Sequence, residues 1–156
     1  MRRKDREITD KEKINEIIAN CHCCRLGFYD DGEVYIVPLN FGYVEKDGKR
    51  IFYFHGAKDG RKIDLISKTH SAGFELDTNY SLNKGETACQ YSAGFQSLIG
   101  TGHVTFVEEQ VEKRAALQSI MFHNTRKDSW DFSDAMLNSV CIFKLEVKKI
   151  SCKEHL

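Results

Sequence analysis

The chain has 156 residues, with 23 lysines and arginines balanced by 23 aspartates and glutamates and a hydrophobic fraction of 41%. That length suits one domain with a real core, residues 1–156 as a single unit, and the absence of net charge excludes a global field that would gather nucleic acid or an anionic membrane. No apolar run approaches the roughly 18 to 20 residues of a membrane span, and the charged start Met1-Arg2-Arg3-Lys4-Asp5-Arg6 is no signal peptide, so a cytoplasmic location is expected.

Thr9 with Glu12 reads as a capping box opening an amphipathic helix that carries Ile14, Ile17 and Ile18 on one face. Next comes Cys21-His22-Cys23-Cys24. Thiolates and imidazole are zinc ligands, but consecutive ligands cannot easily close a tetrahedron and no second half-site is present, so buried reduced thiols at a strand entry are the expectation and no metal is assigned. Asp30-Asp31-Gly32 then punctuates two strands, residues 25–29 and 33–40, and Asp47-Gly48 leads to a third over 50–55. Three strands in meander order are expected. Pro38 lies within the second of them and points to a bulge or a sheet edge.

A helix over 60–68, a strand over 71–77, a loop over 78–87 and a long strand over 97–107 follow, the last with Gly100 and Gly102 allowing a bend. A helix over 108–122 and a final strand over 140–147 complete the pattern. Tight turns between about six strands, with helices at the periphery, predict a mainly β protein built as a closed antiparallel barrel.

The strand ending Phe52-Tyr53-Phe54-His55 runs into Gly56-Ala57-Lys58-Asp59-Gly60-Arg61-Lys62 and then a helix. Glycines that let the backbone approach, a helix N-terminus and three cations form a recipe for binding one phosphate; the same residues also fit an ordinary solvated turn. His55 would ordinarily be a strand-end histidine. Other chemistries lack their signatures: Gly100-Thr101-Gly102 has no third glycine, and there is no GxxxxGK[ST], HExxH or GxSxG.

The order of these residues resembles the flavin mononucleotide (FMN) binding split barrels of the pyridoxamine 5'-phosphate oxidase-like superfamily, and within it the nitroimidazole-resistance (Nim-like) branch. The likeness runs from the first helix to Lys153. It implies a Greek-key-like split β-barrel with peripheral helices, a homodimer with two flavins at its interface, and FMN-dependent reduction of small electrophiles such as nitroaromatics, with a nicotinamide as electron donor. By that resemblance Lys62 meets the FMN phosphate, with Gly56, Ala57, Lys58, Gly60 and Arg61 around it. Val37, Pro38, Leu39 and Asn40 line the flavin ring, while His55 sits beside the ring as the catalytic proton or hydrogen-bond donor. Ser92, following Tyr91, falls where the family contacts the phosphate or ribityl chain, with Gln90 as its neighbour, and Lys153 is a candidate to reach the partner's flavin. The segment Cys152-Lys153-Glu154-His155-Leu156 departs from the basic, His-bearing signature of true pyridoxamine-phosphate oxidases, which counts against vitamin B6 oxidation. A non-enzymatic flavin- or haem-binding module is the remaining alternative.

Overall fold

A computed structural model describes residues 3–156. Helix α1 (Lys11–Asn20) follows a two-residue strand β1 (Glu7–Ile8). Its cap is Asp10 and not Thr9: the Asp10 carboxylate accepts from the Lys13 backbone N–H at 2.7 Å, so the helix starts one residue later than the capping-box reading placed it. Replacing Asp10 with Ala is expected to cost about 1 kcal/mol, the usual worth of an N-cap, measurable by urea unfolding; an unchanged midpoint would remove the cap.

The strands are β2 (Cys24–Asp30), β3 (Glu33–Leu39), β4 (Gly42–Lys46), β5 (Lys49–Gly56), β6 (Ser71–Asn83), β7 (Ser92–Phe106) and β8 (Cys141–His155). Helices α2 (Arg61–Thr69), α3 (Gln110–Thr125) and α4 (Asp134–Ser139) complete the fold. Both Asp-Gly corners put positive φ on two successive residues, Asp31-Gly32 and Asp47-Gly48, as tight hairpins require.

All the strands form one antiparallel sheet in the order β3-β2-β6-β7-β8-β5-β4, with β1 added beside β8. The expected meander is therefore wrong at one joint, because β3 and β4 are consecutive in the chain yet stand at opposite ends of the path. Laid flat, the six strand spacings between them would span about 29 Å at roughly 4.8 Å each, while Asn40 and Phe41 can bridge only about 11 Å. The sheet must curl into a barrel for its ends to meet. The barrel is not closed by a hydrogen-bonded ladder as anticipated, since β3 and β4 are not paired. Pro38 lies on the end strand β3, where a missing N–H costs no ladder bond.

Phe41 locks the crossing. Its fully buried ring lies 4.1 Å from that of His123 on α3 and 5.5 Å from Phe52. The barrel interior holds Leu26, Phe28, Phe52, Phe54, Phe74, Leu98 and Phe143, with Ile17, Ile18, Cys21 and Cys24 closing one end. A smaller cluster of Ile51, Tyr53, Leu117, Ile120, Leu137 and Ile142 lies beneath α3 and α4. The thiols of Cys21 and Cys24 serve as small apolar groups: Cys21 Sγ donates to the Ile17 carbonyl at 3.2 Å, and burial pushes its pKa up to about 12 and that of Cys24 higher still.

Three strands are longer than their apolar patterns suggest, β7 beginning at Ser92 and not at Ser97. Residues 78–83, anticipated as loop, continue β6 past an irregularity between Thr78 and Ser81 as a largely exposed two-stranded arm paired with the start of β7. β8 runs on to His155, and a register shift at Thr101/Gly102 in β7 supplies the anticipated bend.

Candidate functional site

β5 pairs with β4 only as far as Tyr53, which lies opposite Gly42, so on that side Phe54, His55 and Gly56 have no ladder partner. β3, whose Leu39 leads through Asn40 and Phe41 to Gly42, is likewise unpaired along its outer edge. The split in the barrel therefore brings unpaired backbone at the ends of β3 and β5 to one corner, with α2 beginning beside it.

Alternation along β5 sends Phe52 and Phe54 into the barrel and Ile51 and Tyr53 toward α3. Gly56 continues the interior series at the barrel mouth, and His55 continues the other as an exposed ring opposite Ile142. Shielding by the atoms around it, and then the nearby Lys62 ammonium, hold the His55 pKa below its ordinary value. The imidazole is thus neutral at pH 7.

Gly56 is glycine for a steric reason. A Cβ at this position would stand 2.8 Å from Lys62 Nζ and 3.3 Å from its Cε, so the ammonium rests over bare backbone. At the other end of the loop Gly60 adopts φ +119°, a conformation that side chains disfavour, and it precedes α2 with no side-chain cap. The first N–H groups of α2 therefore have no side-chain acceptor at the N-cap, beside two lysines.

The three cations of the loop differ. Arg61 is already engaged: its Nε donates to Asp30 at 2.9 Å, Glu33 lies 3.4 Å from the guanidinium, and the group rests 4.8 Å over the Tyr35 ring. The Asp30 hydrogen bond raises its pKa further. Arg61 fastens α2 to the β2–β3 hairpin. Lys58 and Lys62 have no ion-pair partner among the described residues.

Of residues 37–40, Val37 and Leu39 pack against the core while Pro38 and Asn40 are exposed. Gln90, Ser92 and Lys153 lie elsewhere in the protomer. Gln90 Oε1 accepts from the Glu86 and Thr87 backbone N–H groups at 2.9 and 3.0 Å, Ser92 Oγ accepts from Asn83 at 3.3 Å, and Lys153 lies opposite Ser97 with its ammonium 5.1 Å over Phe95. Ile142 faces His55, and Lys153 lies eleven residues further along β8, about 36 Å of extended strand. One protomer thus gathers Val37 to Asn40 and His55 to Lys62 at its split, and it holds Gln90, Ser92 and Lys153 at the other end. Sequence reasoning missed Asp30, Glu33 and Tyr35, whose only signal was a charged, aromatic hairpin far away in the chain.

The fold recurs in known proteins. Residues 10–154 match the family model described as pyridoxamine 5'-phosphate oxidase. A crystal structure provisionally described as a 5-nitroimidazole antibiotic resistance protein of Bacteroides thetaiotaomicron is 33% identical, superposes with a TM-score of 0.81, and aligns over 95% of this chain and 86% of its own. The flavocytochrome Anf3 of Azotobacter vinelandii (16% identity, TM-score 0.80, 100% of this chain and 72% of that one) shares the fold. So does a FAD and haem binding protein of Mycobacterium smegmatis (12%, 0.79, 96% and 73%). No curated protein sequence matches. With the split-barrel architecture in place and the match extending from the cap of α1 nearly to the end of β8, the chain belongs to the pyridoxamine 5'-phosphate oxidase family.

Proposed function

We propose that the protein is an FMN-binding oxidoreductase that reduces small electrophiles such as nitroaromatics, works as a homodimer, and draws electrons from a nicotinamide donor. The observation that carries the proposal is the cradle at Gly56: bare backbone with the Lys62 ammonium held over it, followed in the same loop by a second lysine that has no ion-pair partner among the described residues and by a helix start without a side-chain cap. This set fits a terminal phosphate. Lys62 and Lys58 would hold it together with the N–H groups of α2, and the unpaired backbone at the ends of β3 and β5 would meet the polar edge of the ring. FMN, when bound, supplies the redox chemistry; the chain supplies binding, orientation and the His55 imidazole. The 33% identical relative described as a nitroimidazole resistance protein supports the substrate class.

The same geometry supports a homodimer. Gln90, Ser92 and Lys153 are too distant to serve the split of their own protomer, and a second copy can deliver them. The outer face of the sheet also leaves Val34, Ile36 and Ile99 largely exposed around Gly27 and Gly73, beside a shallow cavity of about 350 Å³. Light scattering should give a dimer; a monomer with full flavin occupancy would overturn this part.

Titration of apoprotein tests the cofactor. Lys62→Ala should weaken FMN binding by about 1 to 3 kcal/mol, and Gly56→Ala should weaken it as well, because its methyl displaces the Lys62 ammonium while the fold stays intact. Riboflavin binding as tightly as FMN, or unchanged affinity in Lys62→Ala, would remove the phosphate argument. A Soret band in the purified protein would replace the enzyme reading with a haem-binding module.

A further inference from the structure

The last rung of the β2–β3 ladder pairs Cys24 with Leu39. Beyond it the two chains part, one leading back to α1 and the other through Asn40 and Phe41 into β4. No ladder holds Asn40 and Phe41: β3 has no partner along its outer edge, and the β4–β5 pairing begins at Gly42. One side chain spans the gap. His123, in the last turn of α3 and only 9% exposed, meets the Cys21 carbonyl with Nε2 at 2.7 Å and the Phe41 ring at 4.1 Å between centroids.

A carbonyl can only accept, so it is Nε2 that carries the proton of the neutral ring. Burial holds the His123 pKa below its ordinary value; the bond to Cys21 opposes that shift, and the charges of Arg126 and His22 add to it. The ring is therefore a neutral, single-direction donor at pH 7.

The backbone of α3 presses on the same crossing. A Cβ on Gly42 would stand 2.5 Å from the Ile120 nitrogen and 2.6 Å from the Ser119 carbonyl carbon, so the helix lies against bare chain there. At its other end Arg126, the C-cap of α3, donates to the Ala19 carbonyl in the last turn of α1. Carbonyls at a helix C-terminus lack intrahelical partners, and those of Ala19 and Cys21 both find theirs on α3. Residues 119–126 thus clamp the end of α1 to the start of β4, with Asn40 just outside the clamp.

We propose that His123 is a positioning residue for the flavin site: as a rung between Cys21 and Phe41, it fixes where Asn40 and the end of β3 stand against the isoalloxazine ring. The inference rests on the FMN reading, in which residues 37–40 line that ring, and adds what sets their place. His123 itself is buried behind Phe41 and touches no ligand. Its effect passes through Phe41 to the ring contacts and leaves the phosphate cradle at Gly56 and Lys62 as it is.

Three variants test the rung. His123→Phe keeps a ring against Phe41 without the donor, and His123→Asn keeps an amide too short to reach Cys21, whereas His123→Gln carries its N–H to about the place of Nε2. In apoprotein, hydrogen exchange of the peptide covering residues 37–44, followed by mass spectrometry, should quicken in the first two variants and stay near wild type in His123→Gln. Titration of folded protein should show FMN binding weakened up to about tenfold in His123→Phe and His123→Asn, the worth of one hydrogen bond, and restored in His123→Gln. Riboflavin, which has the ring without the phosphate, should lose the same factor, so the FMN-to-riboflavin affinity ratio stays at its wild-type value; Lys62→Ala should lower that ratio. If one of the two donor-free variants does not fold, the other decides. Unchanged exchange and unchanged flavin affinity overturn the proposal, and so does a loss confined to FMN, which would place the effect at the phosphate. Failure of the FMN reading looks different: wild type itself binds neither flavin, and the positioning role falls with it whatever the exchange shows.

Discussion

His55→Ala is expected to keep its FMN and lose about 10² to 10⁴-fold in nitroaromatic reduction, the range that a positioned proton donor contributes. Retention is expected because the proposed phosphate cradle, Gly56, Lys58, Lys62 and the start of α2, does not depend on the imidazole. The loss follows from position: His55 is the exposed end of a rigid strand, at the corner where β5 has lost its β4 partner. Shielding and the Lys62 charge lower its pKa, so the protonated form is scarce at pH 7 and becomes populated only as pH falls below the ordinary histidine value of about 6.5. Wild-type rates should therefore rise on acidification through that depressed pKa, and His55→Gln, which keeps a hydrogen-bond donor but cannot titrate, should lose the pH dependence. The measurement is the rate at which a nitroimidazole reoxidises the photoreduced protein in a stopped-flow instrument. Equal rates in wild type and His55→Ala would make the histidine structural.

Phe52→Ala should be the most destabilising single substitution in the barrel, by about 3 to 5 kcal/mol. Its ring is wholly buried and meets Phe41 at 5.5 Å, Tyr43 at 5.2 Å and Phe74 at 5.3 Å, so truncation leaves a cavity lined by three aromatic faces that cannot all move in. It also undercuts Phe41, the residue that holds the crossing between the two ends of the sheet. Urea unfolding measures the loss, and Phe52→Leu should recover much of it by retaining volume. A loss below about 1 kcal/mol would mean that the core collapses around the vacancy.

The local parts of this fold were legible and the non-local ones were not. Both Asp-Gly corners, the isoleucine face of α1 and the passage from aromatic strand to Gly-Arg-Lys helix follow from short-range chemistry, and the structure contains them. The meander failed because nothing near Asn40-Phe41 signals that the chain changes ends of the sheet; that outcome is set by how the whole sheet curls. Thr78 to Asn83 read as loop because the alternation of Tyr80 and Leu82 with Asn79, Ser81 and Asn83 is short and is interrupted by turn-forming asparagines, and the arm leaves even Tyr80 and Leu82 exposed. The site divides in the same way. The loop from His55 to Lys62 is contiguous and could be found, whereas the engagement of Arg61 by Asp30 and Glu33 joins residues about thirty positions apart.

The place of β8 has a consequence for how the chain is made. It pairs with β1, β5 and β7, so two long interior strands wait for the last strand of the sequence before either has both neighbours. During synthesis the hairpins β2–β3 and β4–β5 can form from local contacts, but until residue 141 and those after it emerge, β5 and β7 each present an open edge rich in aromatic and β-branched side chains. Folding is then limited by a late, long-range event, and a stalled or shortened chain lacking β8 is an aggregation-prone species with no barrel.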